Sequence, residues 1–159
     1  MESPDRNVSF LLHDVARLMR KRFEQNARSL KLTRSQYQVL AHLSRNDGIQ
    51  QGSLAELIEV EPITLTRILD RLEEAGLVER RAHPTDRRIR QIHLTDKAHP
   101  LLEEIFAIAA VTRGQAFDGV SEADRDRLFA LLSTIKANLL DRGTASTETS
   151  AGDRRASNG

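Results

Sequence analysis

The sequence predicts a mostly α-helical fold with a small β-hairpin, and three observations support this fold class. Apolar residues make up 39% of the 159 residues, which is enough for one packed core at this length. The chain has five Phe, one Tyr and no Trp, a composition that favours aliphatic helix packing over a β-sandwich. Apolar residues recur at helical spacing over most of the chain, and they alternate with polar ones around residue 92.

The helix boundaries are predicted from apolar spacing and from capping residues. A first helix covers roughly residues 5–29, and a capping box opens each of the next two helices. The residues of the two boxes are Thr33 with Gln36 and Ser53 with Glu56. Pro62 opens a further helix that runs to about Ala75, with Gly76 as its left-handed cap. The short helix before Pro62 and the helix after it form a helix-turn-helix layout.

The helix from Pro62 to Ala75 has one narrow apolar face that we expect to dock on the core. Its members are Leu65, Ile68, Leu69 and Leu72. Residues 77–82 and 90–94 are predicted to be strands, and the segment HPTDRR between them supplies the turn residues Pro84 and Asp86. A hairpin directly after such a helix is a wing, so the predicted core is a winged helix-turn-helix.

Two further helices are predicted after the hairpin. Thr95 caps a long helix that tolerates Pro100 in its first turn, and Ser121 opens the last helix. The last helix carries an apolar stripe of Leu128, Leu131, Leu132, Ile135 and Leu139. Because this helix is far from the hairpin, we expect it to bury the stripe against a partner. From residue 142 onward the chain has no large apolar side chain, which predicts a disordered tail.

Several classes of protein are disfavoured by composition. No apolar run approaches the roughly 20 residues that span a bilayer, and the N-terminus lacks the layout of a secretory signal, so we expect a cytoplasmic protein without a membrane role. The absence of cysteine excludes disulfides and thiolate chemistry, and the histidines lack metal-ligand spacing, so we expect no metal and no cofactor. No nucleophile with a base, phosphate loop or paired carboxylate is recognisable, so we expect no enzyme.

The outward face of the Pro62–Ala75 helix carries groups that match DNA. These are Ile63, Thr64, Thr66, Arg67 and Arg71. The Arg67 fork can meet the two acceptors of guanine, and Ile63 can contact a thymine methyl group. The alternative is that Arg67 and Arg71 only pair with Asp70 and Glu74 on their own helix.

The hairpin is strongly basic, with five arginines against one acid between Arg80 and Arg90. At its tip, Arg87 and Arg88 have the reach and charge for the minor groove, and Arg90 adds charge beside them. We expect Asp86 to orient one of these arginines, to act as a turn residue, or both. DNA binding explains these charges by phosphate neutralisation, whereas a winged-helix protein-interaction module, the alternative, does not need them.

Three stretches carry a resemblance to a known family: LTRSQYQVL, SLAELIEVEPITLTRILDRLEEAGLVERR and DRRIRQIHLTDKA. Together they resemble the MarR family of winged helix-turn-helix regulators, over roughly residues 8–141. The segments EPITLTRILDRLEEAGL and LTDKAHPLLEE look most similar to its SlyA subgroup. Ile63 departs from the small polar residues common at its position in relatives, so operator preference is not carried over.

The resemblance implies a domain organisation and a mode of action. Residues 1–30 would be an N-terminal dimerisation helix, 31–95 the DNA-binding winged helix-turn-helix lobe, 96–141 the C-terminal dimerisation helices, and 142–159 the tail. The homodimer interface would use Phe10 and Leu11 together with the stripe Leu128, Leu131, Leu132, Ile135 and Leu139. Arg88, braced by Asp86, would enter the minor groove of a pseudopalindromic double-stranded operator.

The resemblance also implies a small anionic aromatic effector that lowers DNA affinity. His13 and Arg17 on the first helix, with Tyr37 and His42 on the second, could bind such an anion. The alternative is that His13 and Arg17 are ordinary surface residues and Tyr37 belongs to the core. The predicted function is a ligand-responsive transcription regulator that acts as a repressor, is released by its ligand and lies on the nucleoid when DNA-bound. The alternative is a ligand-independent regulator that competes with nucleoid proteins.

Overall fold

The computed structural model describes residues 7–148 of the chain, with side chains for residues 7–140. It forms two compact units, which meet in sequence between Ala116 and Phe117 and are described separately. The elements are α1 (Val8–Asn26), a 3-10 helix (Arg28–Leu30), α2 (Arg34–Arg45), β1 (Ile49–Gln50), α3 (Gln51–Leu57), α4 (Pro62–Glu74), β2 (Val78–Ala82), β3 (Arg90–Leu94), α5 (Ala98–Ala116) and α6 (Glu122–Glu148). The predicted fold class, mostly helical with a small hairpin wing, is confirmed.

The core lies between α2, α3, α4, the sheet and the first half of α5. Its fully buried larger side chains are Val39, Leu40, Leu43, Leu54, Leu65, Leu69, Leu72, Val78 and Ile92. All four residues of the predicted apolar face of α4 are buried. The helical period of that face therefore fixes which side of α4 is left for solvent.

The wing belongs to a three-stranded antiparallel sheet with strand order β1-β3-β2. The strands predicted at 77–82 and 90–94 are present, and Arg80 pairs with Ile92 in their register. Strand β1 was not predicted, because two residues are too few to show a period. It pairs Ile49 with Ile92, so β3 is the central strand.

One of the two predicted capping boxes is present. The Thr33 hydroxyl accepts the Gln36 amide at 3.2 Å, and the Gln36 side chain accepts the Thr33 amide at 2.9 Å. The box at Ser53 and Glu56 was wrong, since α3 begins at Gln51. The physical reason for this earlier start is the β1–β3 pairing, because strand β1 ends at Gln50 and the helix follows it directly.

The cap predicted at Thr95 was also wrong. The Thr95 hydroxyl donates to the Gly76 carbonyl at 2.5 Å, and α5 begins later, at Ala98. Gly76, which follows the C-cap residue Ala75 of α4, has a φ of +74°, the left-handed conformation that the sequence predicted for it. Thr95 therefore ties the end of β3 to the end of α4 instead of capping the next helix.

The ends of the outer helices differ from the prediction. Helix α1 spans Val8–Asn26 rather than 5–29, and a 3-10 turn follows it; residues 5 and 6 lie outside the described residues. Ser121 caps α6 as predicted, accepting the Asp124 amide at 3.2 Å. Helix α6 continues to Glu148, so the tail predicted from residue 142 overlaps the end of a helix, and residues 149–159 lie outside the described residues.

Helices α1 and α6 leave most of their apolar side chains exposed. No residue of α1 is buried, and the exposed set includes every residue predicted to form a dimer interface: Phe10, Leu11, Leu128, Leu131, Leu132, Ile135 and Leu139. On each of these helices, the exposed apolar side chains mark an interaction site. None of the helices in the described part of the chain is long and apolar enough to span a membrane.

The core makes a direct prediction about stability. Leu69→Ala should lower the free energy of unfolding by about 2–5 kcal/mol, because Leu69 is fully buried and its truncation leaves a cavity. Ile63→Ala is the matched control, since Ile63 lies on the same helix with 64% of its surface exposed and should change stability by less than about 0.5 kcal/mol. Urea denaturation followed by circular dichroism measures both, and similar losses for the two variants would contradict the assigned orientation of α4.

Candidate nucleic-acid interface

The outward face of α4 presents the side chains that the sequence predicted for base reading. All of them are exposed: Ile63, Thr64, Thr66, Arg67 and Arg71. They occupy the side of the helix opposite the buried Leu65 and Leu69, so core packing aims them at solvent. This face can offer guanidinium forks, a hydroxyl and an apolar contact to a neighbouring molecule.

The alternative of ion pairs within α4 is not what the structure contains. Asp70 pairs with Arg80 of strand β2, at 2.7 Å, and not with either arginine of the helix. Among the described residues, neither Arg67 nor Arg71 forms a salt bridge. Their charges are therefore unpaired within the part of the chain whose side chains are described.

The Thr66 hydroxyl is engaged inside the helix-turn-helix. It donates to the Pro62 carbonyl at 3.0 Å and accepts from the Gln51 side-chain amide at 3.2 Å. The donor that a base contact would need is thus already used. Thr66 joins the start of α3 to α4, which leaves Thr64 as the hydroxyl with the better access.

The wing tip is organised by Asp86 and Arg88. The Asp86 carboxylate accepts the Arg88 amide at 3.0 Å and two guanidinium donors, Nε at 3.1 Å and Nη2 at 3.0 Å. These bonds hold the pKa of Asp86 below its usual range, with the Arg88 side chain the larger cause and the Arg88 amide the second. The Arg88 side chain is nevertheless 90% exposed, so the fork is oriented without being covered.

The loop around this pair is closed by backbone hydrogen bonds. Ile89 donates to the Asp86 carbonyl at 3.1 Å, and His83 donates to the Ile89 carbonyl at 2.9 Å. Arg87 and Arg90 are exposed on either side of this turn. Asp86 thus acts both as a turn residue and as a brace, the two roles that the sequence left open.

A cleft of about 280 Å³ lies between α1, α2 and α5 in the first unit. Its walls combine four arginines with aromatic and aliphatic side chains: Arg20, Arg34, Arg45 and Arg113, then Phe23, Tyr37, Ala41, Ile105, Phe106 and Ala109, with Gln38 and His42. A concave, largely apolar site with a few convergent cations suits a flat anionic molecule.

Tyr37 stands at the wall of this cleft beside a carboxylate. Its hydroxyl donates to Glu24 at 3.3 Å, and Glu24 also lies 3.5 Å from Arg34. Burial raises the pKa of Tyr37 to about 12, and the Glu24 charge adds to the shift. The hydroxyl therefore remains a protonated donor at neutral pH, and Phe23 packs on the ring at a centroid distance of 4.7 Å.

Two of the four residues predicted to bind a ligand do not line the cleft. Tyr37 and His42 do, whereas His13 and Arg17 are exposed on α1 at other positions, and Arg17 lies 3.7 Å from Asp14. Sequence reasoning missed the four arginines of the cleft. Arg34 and Arg45 flank the ends of α2 and could have been noticed as a pair, but Arg113 reaches the site only through the packing of α5 on α1 and α2.

The Asp86 bond predicts a pH dependence at the wing. A carboxyl whose pKa is depressed in the folded protein keeps its partner above that pKa and loses it as the pH falls through it. An NMR titration of the Asp86 carboxyl should therefore give a midpoint below the ordinary aspartate value of about 3.9. Arg88→Ala should return the midpoint towards that value and Arg87→Ala should not; an ordinary midpoint with Arg88 present would show that the pair is absent in solution.

The model of the MarR family matches residues 32–89, which run from the cap of α2 to the wing tip. The transcriptional regulator PA3341 is 38% identical to this chain; the match covers 85% of this chain and 99% of that one, with a TM-score of 0.75. A crystal structure of MarR matches with 27% identity over 92% of this chain and 99% of that one, with a TM-score of 0.76.

BpsR from Bordetella bronchiseptica, a protein whose DNA binding is regulated by 6-hydroxynicotinic acid, shares the fold at 24% identity. Its match covers 86% of this chain and 97% of that one, with a TM-score of 0.71. The family model, the regulator at 38% identity and the MarR structure at 27% identity agree. The chain belongs to the MarR family of winged helix, DNA-binding transcription regulators.

Proposed function

We propose that this protein is a sequence-specific regulator that binds a pseudopalindromic double-stranded operator as a homodimer and represses until a small anionic aromatic ligand releases it. The observation that carries the proposal is the pairing of two DNA-facing elements on one core. Helix α4 exposes Arg67 and Arg71 without an acidic partner among the described residues, and the wing holds Arg88 exposed and oriented by Asp86. Helix and wing together suit adjacent major and minor grooves.

The two elements contact different grooves of the DNA. Arg67, at the exposed face of α4, reads base edges in the major groove, with Ile63 contacting a thymine methyl group. Arg88 enters the minor groove, where negative potential favours a cation without strict sequence reading. Arg87, Arg90 and Arg71 add phosphate contacts that position the protein.

The homodimer follows from the apolar faces that the described residues leave open. Phe10 and Leu11 on α1 are each more than half exposed, and α6 repeats exposed leucines along its length. In the first unit, a groove of about 410 Å³ between α1 and α5 has the apolar residues Val15 and Leu18 in its wall. A symmetric dimer that buries these apolar side chains presents two α4 helices to one duplex. Such a dimer binds an operator with two-fold symmetry.

The effector proposal rests on the chemistry of the cleft. Arginine forks bind carboxylates in two parallel hydrogen bonds, and the Phe23, Tyr37 and Phe106 rings suit a flat ring. The regulation of BpsR by 6-hydroxynicotinic acid supports a ligand of this class. Because such a ligand would weaken DNA binding, its effect on a bound repressor is release.

The segments around α4 and LTDKAHPLLEE support membership of the SlyA subgroup.

Two variants separate base reading from groove insertion. Arg88→Ala should weaken binding to a duplex selected by the protein from a random pool and to its scrambled version alike, and should reduce the salt slope by about one ion. Arg67→Ala should cost about 1–3 kcal/mol mainly on the selected duplex. Fluorescence anisotropy at two salt concentrations measures both.

The control for this pair is Arg81→Ala, which removes an arginine that already pairs with Glu79 on its own strand. It should change the affinity for either duplex much less than Arg88→Ala does. Equal losses on both duplexes for Arg67→Ala would reduce Arg67 to a phosphate contact. Undiminished binding by Arg88→Ala would remove the wing from the proposed function.

The cleft is tested with salicylate as the probe. Salicylate should release the wild-type protein from the selected duplex, and Arg113→Gln should raise the half-effective concentration about tenfold, the loss of one charge-assisted bond. Arg17→Gln, which lies outside the cleft, should behave as wild type. An equal half-effective concentration of salicylate for Arg113→Gln and the wild type would contradict the assignment of the ligand to this cleft.

A further inference from the structure

We propose that Arg80 is a positioning residue that locks the recognition helix to the wing, so that sequence discrimination depends on it although it reads no base. Its guanidinium Nη2 donates to the Thr66 carbonyl at 3.0 Å and to the Asp70 carboxylate at 2.7 Å, both on α4. Its Nη1 lies 3.6 Å from Glu73, and its backbone amide donates to Glu73 at 3.2 Å. One side chain of strand β2 therefore holds successive turns of α4.

The setting of Arg80 differs from that of a surface ion pair. Only 19% of its side chain is exposed, whereas its neighbour Arg81 is 56% exposed and pairs within its own strand. Thr66, Asp70 and Glu73 follow one another at spacings of four and three, so they form a single row on α4. A planar fork that contacts a row of acceptors fixes an orientation, which a single exposed pair cannot do.

The same strand leads to the wing tip. Arg80 is registered against Ile92 of β3, and the hairpin continues from this pair to the loop that carries Arg88. From α3, the Gln51 side-chain amide donates to the hydroxyl of Thr66, which belongs to the same row of α4. The recognition helix is thus fixed between α3 and the base of the wing.

Joint docking of helix and wing depends on their relative placement. When two contacts engage one duplex, the second is made at an effective concentration set by the geometry of the link, and a poor fit loses that gain. On random DNA, phosphate contacts tolerate a displacement of the wing relative to α4, because every phosphate along the duplex carries the same charge. Loss of Arg80 should therefore reduce the preference for the selected duplex more than it reduces general affinity.

Asp70 gives a test whose sign separates positioning from simple electrostatics. Asp70 is an exposed carboxylate on the helix that faces DNA, so its neutralisation should strengthen DNA binding if charge alone mattered. If Asp70 instead holds Arg80, its removal should weaken discrimination. For the selected duplex, electrostatics alone therefore predicts tighter binding by Asp70→Asn, whereas positioning predicts weaker binding.

The experiment measures affinity for the selected and scrambled duplexes at two salt concentrations, with thermal unfolding of each variant. Arg80→Met and Asp70→Asn should each lower the ratio of the two affinities about tenfold, the size of one good base contact, while the salt slope stays within about half an ion. The double variant should lose no more than Arg80→Met alone, because Asp70 acts through Arg80. Arg80→Lys, which keeps the charge without the fork, should rescue only part of the ratio.

Two controls complete the design, and the inference rests on the proposed sequence-specific binding. Arg81→Met removes a charge from the same strand, and Glu74→Gln removes an exposed acid from the same helix; both should keep the wild-type ratio. If Arg80→Met does not fold, Asp70→Asn decides the matter alone. Tighter binding by Asp70→Asn, or equal losses on both duplexes with a reduced salt slope, would overturn the positioning role, whereas a wild-type protein without preference would overturn the proposed function as well.

Discussion

The structure depends on the burial of one face of α4. Leu65, Leu69 and Leu72 are almost completely removed from solvent, and at roughly 1.5–3 kcal/mol for each such side chain this burial is a major part of the stability of a small core. Because the helix has a fixed period, the same packing turns Arg67 and Arg71 outward. Stability and recognition are therefore two consequences of one helical repeat, and a rotation of α4 would lose both.

A second constraint acts on the charges around this helix. Helix α4 carries Asp70, Glu73 and Glu74, which would repel phosphate if they faced it unpaired. Arg80 pairs with Asp70 and Glu73, and Arg88 pairs with Asp86 at the wing tip. The acids of the interface thus orient its arginines, and a chain with a net charge of only +1 still presents a basic surface.

Local signals predicted much of this arrangement. The apolar face of α4, the capping box at Thr33 and the left-handed Gly76 depend on residues within a few positions of one another, so the sequence alone displays them. The start of α3 and the role of Thr95 depend on contacts with β3 and Gly76, which lie far along the chain. For the same reason sequence reasoning assigned no role to Arg80 and selected α1 residues for the cleft that α5 completes.

The central claim is that α4 and the wing engage adjacent grooves of one duplex as a single unit, and methylation interference with dimethyl sulfate tests it most directly. This reagent modifies guanine N7 in the major groove and adenine N3 in the minor groove of the same DNA. The account predicts interference at guanines in two half-sites related by a two-fold axis, each flanked by interference at adenines where Arg88 enters. Interference confined to one groove, or none at guanine N7, would contradict it.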